Sequence, residues 1–337
     1  MKRSEYRKLQ FIGGSSFMVS LPKDWVEKFN LKQGDTLLVS VEEEGSIRII
    51  PSSLIGRAEP PERAVIELPK LKDPERFKRE IFAYYILGID QIEINLKERI
   101  APDFMSVLNE VTRSLIGIEI TSMEDKKITL SCLTSKDLSI DSVLIRMKQL
   151  VNTIIDGMMS YLENRDERVL QSIFDMEEDV DRFYMLSVRL ENIGMRRMHD
   201  SGLSSWDFLR MLLGHRLITK CIEEISDELM KIFEHLKELE DSPGFRTVLS
   251  GELESIKSCF DVAMSAFLEE DLERAHESYE LGKMIEERLR KESENSNSQR
   301  DVRMKLILMS MIELCRILRT ISEISINRSV RATLRKL

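Results

Sequence analysis

Residues 164–184 read NRDERVLQSIFDMEEDVDRFY, and residues 212–232 read LLGHRLITKCIEEISDELMKI. These stretches belong to a region, from Ser139 onward, in which apolar residues recur with the period of one face of an α-helix. Several of the predicted helices are far longer than the mean of about 11–12 residues, which favours a helical bundle. The helices are predicted over about 139–164, 166–199, 204–240, 243–269, 271–293 and 298–333.

Each quoted stretch carries two acidic residues four positions apart, Glu177 with Asp181 and Glu223 with Asp227. Residues at this spacing project from one helix face, so antiparallel packing would bring four carboxylates together. Such a cluster is costly unless a cation neutralises it, and oxygen ligands suit Mg²⁺, Ca²⁺, Mn²⁺ or ferric iron better than zinc. Among 59 acidic residues such pairs also arise on solvated helix faces, and that alternative stays open.

The six predicted helices form two units of three, at about 139–240 and 243–333. In each unit a Met-rich helix ends at a short acidic turn, NRD at 164–166 and EED at 269–271, and an acidic helix and a long helix follow. This similarity indicates an internal repeat.

The second unit departs from the acidic pattern of the first. Aligned on the acidic turns, Gly282 and Glu286 take the place of the first acidic pair, and Arg319 and Glu323 take that of the second. A cation such as Arg319 opposes metal binding. The sequence therefore predicts one metal site, with the site of the second repeat lost.

The first fifty residues predict two β-hairpins joined by a short helix. About fifty residues with two hairpins seldom bury a core alone, so interleaving with a second copy, as a homodimer, is expected. The predicted elements are the strands Arg7–Ile12 and Ser16–Ser20 around Gly13-Gly14, a helix in LPKDWVEKF, and the strands Thr36–Glu42 and Ser46–Ile50 around Gly45.

The middle of the chain alternates strands and helices in the order βαβαββ, which predicts a small α/β layer. Gly88 and Gly117 fall where glycines end helices. Neither a phosphate loop nor a G-x-G-x-x-G motif occurs here, so a structural or coupling role is expected. The predicted elements are strands at 64–68, 91–96, 119–123 and 127–132 and helices at 74–87 and 102–115.

The two stretches quoted first resemble the second and third helices of the PhoU family, and the resemblance extends over roughly 139–333. Residues 222–227, IEEISD, stand where that family has L-E-R-I-G-D, with Glu224 replacing Arg and Ser226 replacing Gly. In that family the acidic pairs bind multinuclear metal clusters, often iron. The resemblance implies these metal ligands: Glu177, Asp181, Glu223 and Asp227.

The N-terminal residues 5–51 resemble the SpoVT/AbrB swapped-hairpin family. Gly13-Gly14, Leu21-Pro22-Lys23 and Gly34-Asp35 fall where that family places them, and Asn30 replaces a helix-ending glycine, a change that the left-handed tolerance of asparagine permits. The resemblance implies DNA binding by a dimer. Contacts to DNA phosphates are expected from the exposed cations Lys2, Arg3, Arg7, Lys8 and Lys23.

The charge distribution limits DNA binding to a weak, salt-sensitive mode. Residues 1–51 carry 8 basic and 7 acidic side chains, including Glu42, Glu43 and Glu44. Residues 141–337 carry 29 basic and 37 acidic side chains, which makes the helical half a poor nucleic-acid surface but a reasonable cation binder. A module that only dimerises is the alternative.

Enzyme motifs are missing from the sequence. No nucleophile elbow, H-E-x-x-H or Walker pattern occurs, and a metal-dependent carboxylate-bundle enzyme would need two Glu-x-x-His motifs where Glu273–His276 is the one present. The scattered cysteines indicate a reduced compartment. Neither a transmembrane helix nor a signal peptide is expected, so we predict a cytoplasmic protein.

Together these patterns predict a multidomain α+β protein. It has an AbrB-like swapped-hairpin module at 1–52, a small α/β domain at 62–134 and a PhoU-like six-helix domain at 139–333. This order of modules is one we associate with archaeal phosphate regulators. The expected function is a non-enzymatic, dimeric DNA-binding regulator of phosphate uptake with a metal-binding helical domain. The alternative is a scaffold that binds phosphate-transporter or signalling proteins without binding DNA.

Overall fold

The computed structural model divides the chain into two compact units, one of Met1–Pro60 with Met198–Ser204 and one of Pro61–Arg197 with Ser205–Leu337. The structure describes residues 5–13, 16–41, 45–54, 62–68, 73–99, 102–135, 138–201, 206–237, 243–295 and 302–335.

Two antiparallel hairpins and one short helix form the N-terminal unit. The first hairpin turns at Gly13, whose φ of +66° suits a residue without Cβ, and it is shorter than the predicted strands. Asn30 has φ 49°, which confirms its left-handed conformation after the helix. The elements are β1 (Gln10–Ile12), β2 (Ser16–Met18), α1 (Lys23–Lys28), β3 (Leu37–Val41) and β4 (Ile47–Pro51).

Large apolar side chains of this unit remain exposed. Phe11 and Phe17, which pair across the first hairpin, are 60% and 69% exposed, and Val41 and Ile47 of the second hairpin are 78% and 63% exposed. The helix α1 contains no buried residue. The described part of this unit therefore lacks a core of its own, as expected for hairpins that need a partner surface.

The second unit begins with a four-stranded mixed sheet in the predicted βαβαββ order. Its strand order is β5-β6-β8-β7, with β5 parallel to β6 and the other neighbours antiparallel. Gly88 and Gly117 follow the two helices with φ +88° and +78°, which confirms their predicted positions. The elements are β5 (Arg63–Leu68), α2 (Pro74–Ile86), β6 (Gln91–Leu96), α3 (Pro102–Ser114), β7 (Ile118–Glu124) and β8 (Lys127–Cys132).

Six long helices complete this unit and share one apolar core. The predicted repeat is visible in its turns, because Arg165 and Glu270, which follow the first helix of each repeat, both have left-handed backbones (φ 52° and 56°). None of the described helices is long and apolar enough to cross a membrane. The helices are α4 (Ile140–Asn164), α5 (Arg168–Ser201), α6 (Trp206–Lys237), α7 (Pro243–Glu269), α8 (Leu272–Asn295) and α9 (Val302–Arg335).

A buried carboxyl lies within the bundle, at Glu191 of α5, which is 3% exposed. Ser187 and Thr219 donate hydrogen bonds of 3.2 and 3.5 Å to its Oε1, and Arg216 Nη1 lies 3.8 Å from its Oε2. Burial outweighs these favourable neighbours and raises the pKa of Glu191 to about 7. The ionised form is thus disfavoured in the folded chain.

We expect Glu191→Gln to stabilise the protein at pH 8 and to have little effect near pH 4.5. A carboxyl whose pKa rises on folding favours the folded state while protonated, and that contribution is lost as the pH rises from the ordinary value of 4.5 to about 7. This shift of the Glu191 pKa on folding corresponds to about 3 kcal/mol. Urea unfolding at several pH values measures the difference in free energy of unfolding between the variant and the wild type. For the exposed control Glu163→Gln this difference should not change with pH. A difference that does not change with pH for Glu191→Gln would contradict the raised pKa of this carboxyl.

Candidate functional site

Three of the four acidic residues predicted from the sequence, two on α5 and one on α6, lie close together. One carboxylate oxygen from each of Glu177, Asp181 and Asp227 lies within 4.8 Å of the other two. Glu177 is half-buried, whereas Asp181 and Asp227 keep an exposed face. Three of the four predicted metal ligands are therefore close enough to share one ion.

Glu223, the fourth predicted ligand, points to a different partner. Its carboxylate forms an ion pair with Lys220, one helical turn earlier on α6, and Lys220 also lies 3.8 Å from Glu224. The ammonium group of Lys220 sits 5.6 Å from the ring centre of Tyr184. Lys220 was not singled out in the sequence, although its position three residues before Glu223 is the spacing at which helical ion pairs form.

The carboxylates of this acidic group repel one another. Burial, followed by the charges of Glu177, Glu223 and Asp227, raises the pKa of Asp181 to about 7. Burial, Asp227, Glu178 and Glu223 likewise raise the pKa of Glu177. A nearby like charge and a poorly solvated position both disfavour the ionised form, so a cation placed among these carboxylates would relieve an unfavourable arrangement.

The second repeat places an arginine at the corresponding position. Arg319 Nη2 lies 2.7 Å from Glu286 Oε2, and Arg290 Nη2 lies 2.6 Å from Glu286 Oε1. A Cβ added to Gly282 would lie 3.1 Å from Arg319 Cγ, so the glycine leaves room for this side chain. The carboxylate is thus neutralised by the chain itself, and the loss of a metal site from this repeat stays a prediction.

We expect Arg319→Met to lower the free energy of unfolding by about 1–3 kcal/mol. Removing one partner of a buried pair costs about 3–5 kcal/mol, and the smaller value follows because Arg290 stays and Arg319 is 27% exposed. Urea unfolding provides the measurement. Arg316→Met on the same helix is the control, because its pair with Glu313 is exposed and should contribute little. Equal effects of the two changes would contradict the assigned role.

The predicted DNA-contacting cations all belong to the N-terminal unit. Lys2 and Arg3 lie outside the described residues. Arg7 forms an ion pair with Glu5, and Lys23, 86% exposed, lies 3.5 Å from Glu27. Lys8 is exposed and makes no ion pair to any residue that the structure describes.

A joint between the sheet and the bundle was not anticipated from the sequence. Arg189 of α5, 1% exposed, donates from Nη1 to the carbonyl oxygens of Tyr85 (2.9 Å) and Ile89 (2.7 Å), and from Nη2 to Asp90 Oδ1 (3.0 Å). Asn192 adds a 2.7 Å hydrogen bond to the carbonyl oxygen of Ile86. The turn after α2 is therefore fixed to α5 two helical turns beyond Asp181.

Comparison with known proteins gives two family matches. Residues 10–55 match the model described as antidote-toxin recognition MazE, bacterial antitoxin, and residues 144–236 match the PhoU domain, a range that corresponds to the first repeat. The two resemblances inferred from the sequence, to a hairpin module of this class and to PhoU, are thereby confirmed.

The comparison with solved structures adds a likeness in fold to these family matches. The crystal structure of PhoU from Pseudomonas aeruginosa is 18% identical, with 57% of this chain and 96% of that chain covered and a TM-score of 0.49. No curated protein matches the chain.

Proposed function

We propose that this chain is a dimeric, DNA-binding regulator of phosphate uptake. The observation that carries the proposal is the presence, on one chain, of a MazE-class hairpin module and a PhoU domain. The first suggests DNA binding and the second suggests regulation of phosphate uptake. We divide the roles among three domains with the predicted bounds, 1–52 for DNA and dimerisation, 62–134 for coupling and 139–333 for sensing or relay.

Dimerisation follows from the exposed apolar faces of both hairpins. Residues such as Phe11, Phe17 and Val41 would leave water if a second copy interleaved its strands with the first. A dimer also presents two sets of basic side chains, which doubles the number of DNA phosphates that one complex neutralises. Weak single contacts then suffice for measurable binding.

The bundle would hold one metal ion through Glu177, Asp181 and Asp227, with Glu223 close enough to join if Lys220 releases it. The donor set is composed of carboxylates, which suits Mg²⁺, Mn²⁺ or ferric iron. An ion would relieve the repulsion that raises the pKa of Asp181. Arg319 leaves the second repeat without an equivalent site.

We expect the purified protein to shift duplex DNA at low salt, with an affinity that falls steeply as salt is added. Each DNA phosphate neutralised contributes about −0.9 to the slope of log K against log salt. Replacing both Lys8 and Lys23 by alanine removes up to four contacts per dimer, so the slope should become shallower by about 3–4. Gel shifts at several salt concentrations measure this slope.

Lys32→Ala is the matched control, since it removes one exposed cation of the same unit that is not assigned to DNA. Light scattering must show that all variants keep the mass of the wild-type protein. Absence of any shift at low salt, or an unchanged slope in the double variant, would count against DNA binding by these residues.

A scaffold that does not bind DNA is the second candidate, and one observation favours it. Arg7 and Lys23 already have acidic partners within their own unit, which leaves Lys8 as the unpaired cation among the three described candidates. Charge reversal at Arg7 and Lys8 separates the two functions in cells. Unchanged transcription of phosphate-uptake genes supports the scaffold, and a changed level supports the DNA-binding regulator.

A further inference from the structure

A cleft of about 690 Å³ opens between the α/β layer and the bundle. One wall comes from α2 and α3, and the other comes from α5. Its volume lies in the range typical of sites for small molecules, about 300–1,000 Å³. The lining residues used in the argument are Phe82, Asn109, Arg113, Asp181, Arg182 and Met185.

The two walls present polar helix faces to each other. Ser106, Asn109 and Arg113 recur at the spacing of one face of α3, as Glu178, Asp181 and Arg182 do on α5. Helices that pack for stability alone bury apolar stripes against each other. Two opposed polar faces with a cleft between them therefore indicate a place where water or a polar ligand lies.

Two guanidinium groups in this cleft have donors to spare. Arg113 is exposed and makes no hydrogen bond or ion pair to any residue within the described part of the chain. Arg182 is 38% exposed and donates from Nη1 to Asp179 at 2.7 Å, and its Nη2 makes no hydrogen bond to any residue that the structure describes. Arginine presents a planar set of donors that matches the oxygens of a phosphoryl group.

The acidic residues of the cleft set the condition for anion binding. Glu110 is neutralised by Lys78, whereas Glu178 and Asp181 add negative charge to the wall. Asp181 also belongs to the group of three carboxylates proposed to hold a metal ion. Magnesium-type ions are commonly held by one or two carboxylates together with phosphate oxygens of a ligand, so a bound ion would make this wall attractive to an anion.

We propose that the cleft binds a phosphoryl-bearing small molecule between Arg113 and Arg182 and the metal ion held by Glu177, Asp181 and Asp227. The inference rests on the proposed metal site. Either inorganic phosphate or an organic phosphate provides this chemistry, and Phe82 and Met185 offer an apolar wall for an organic group. Metal and ligand each raise the affinity of the other, because thermodynamic coupling is reciprocal.

The experiment uses the full chain, Mn²⁺, and two probes, inorganic phosphate and AMP. Electron paramagnetic resonance measures Mn²⁺ binding, and relaxation of the ³¹P signal by bound Mn²⁺ measures the nearby phosphoryl group. We expect binding of at least one probe that depends on Mn²⁺. Arg113→Ala should keep Mn²⁺ and weaken the probe by about 10-fold or more, the effect of one charge-assisted hydrogen bond.

Arg79→Ala on α2 is the matched control, because Arg79 is exposed and does not line the cleft. Asp227→Ala should lose both Mn²⁺ and the probe. If the wild type binds Mn²⁺ but relaxes neither probe beyond the level of Asp227→Ala, or if Arg113→Ala matches wild type, the cleft proposal is wrong while the metal site stands. If Mn²⁺ itself does not bind, both fail. The ratio of the two probe affinities identifies the source of the phosphoryl group.

Discussion

Replacing Arg189 by methionine is expected to lower the free energy of unfolding by about 3–5 kcal/mol. The guanidinium is 1% exposed and serves two backbone carbonyl groups and the carboxylate of Asp90, itself 7% exposed. Methionine fills much of the same volume but donates nothing, so the buried carboxylate of Asp90 loses its charged partner and both carbonyl groups lose the guanidinium donor. The hydrogen bonds from Gly88 N to the Tyr85 carbonyl oxygen and from Glu62 N to Asp90 Oδ2 remain. That loss of satisfied polar groups, rather than lost packing, sets the size of the effect.

Urea unfolding followed by circular dichroism measures the change, with Arg79→Met as an exposed control that should stay within about 0.5 kcal/mol of wild type. Asp90→Asn tests the assignment further. If the pair acts as a unit, the double variant should be less destabilised than the sum of the two single changes. A loss below about 1 kcal/mol for Arg189→Met would contradict the role of the joint.

The positions of helices and strands could be predicted from the sequence because they depend on local patterns. The βαβαββ order of the middle region is observed as predicted, and glycines at 88 and 117 end its helices because the required positive φ leaves few other residues suitable. The long helices of the bundle follow from uninterrupted apolar periodicity. The acidic turns of the two repeats also fold alike, as the left-handed backbones of Arg165 and Glu270 show.

The partners of buried charged side chains could not be predicted from local patterns. Arg189 finds its three acceptors 99 to 104 positions earlier in the chain, a pairing that only tertiary packing creates. Glu223 illustrates the opposite case, since its partner Lys220 is three residues away. The spacing allows both an ion pair on one helix and a metal ligand between two helices, and no local rule decides between them.

A substitution among the three carboxylates of Glu177, Asp181 and Asp227 should stabilise the metal-free protein and at the same time remove metal binding. Asp181→Asn deletes one of three crowded charges and keeps the shape of the side chain. A carboxyl whose pKa is raised from 3.8 to about 7 favours folding while protonated and loses that contribution as the pH rises through this interval. The variant should therefore match wild type near pH 4 and exceed it at pH 8, by up to about 1 kcal/mol.

With metal bound, the wild type should be more stable than Asp181→Asn, which is the reverse of the order expected without metal. Mn²⁺ at about 100 times its dissociation constant should stabilise the wild type by about 2.7 kcal/mol, and Asp181→Asn should gain little because a ligand is missing. Asp175→Asn on the exposed side of α5 is the matched control, and it should respond to Mn²⁺ as wild type does. Thermal unfolding with and without Mn²⁺ gives both quantities. A substitution that stabilised the apo protein yet kept the full response to Mn²⁺ would place the ion elsewhere, because repulsion among these carboxylates and attraction for a cation have the same physical origin.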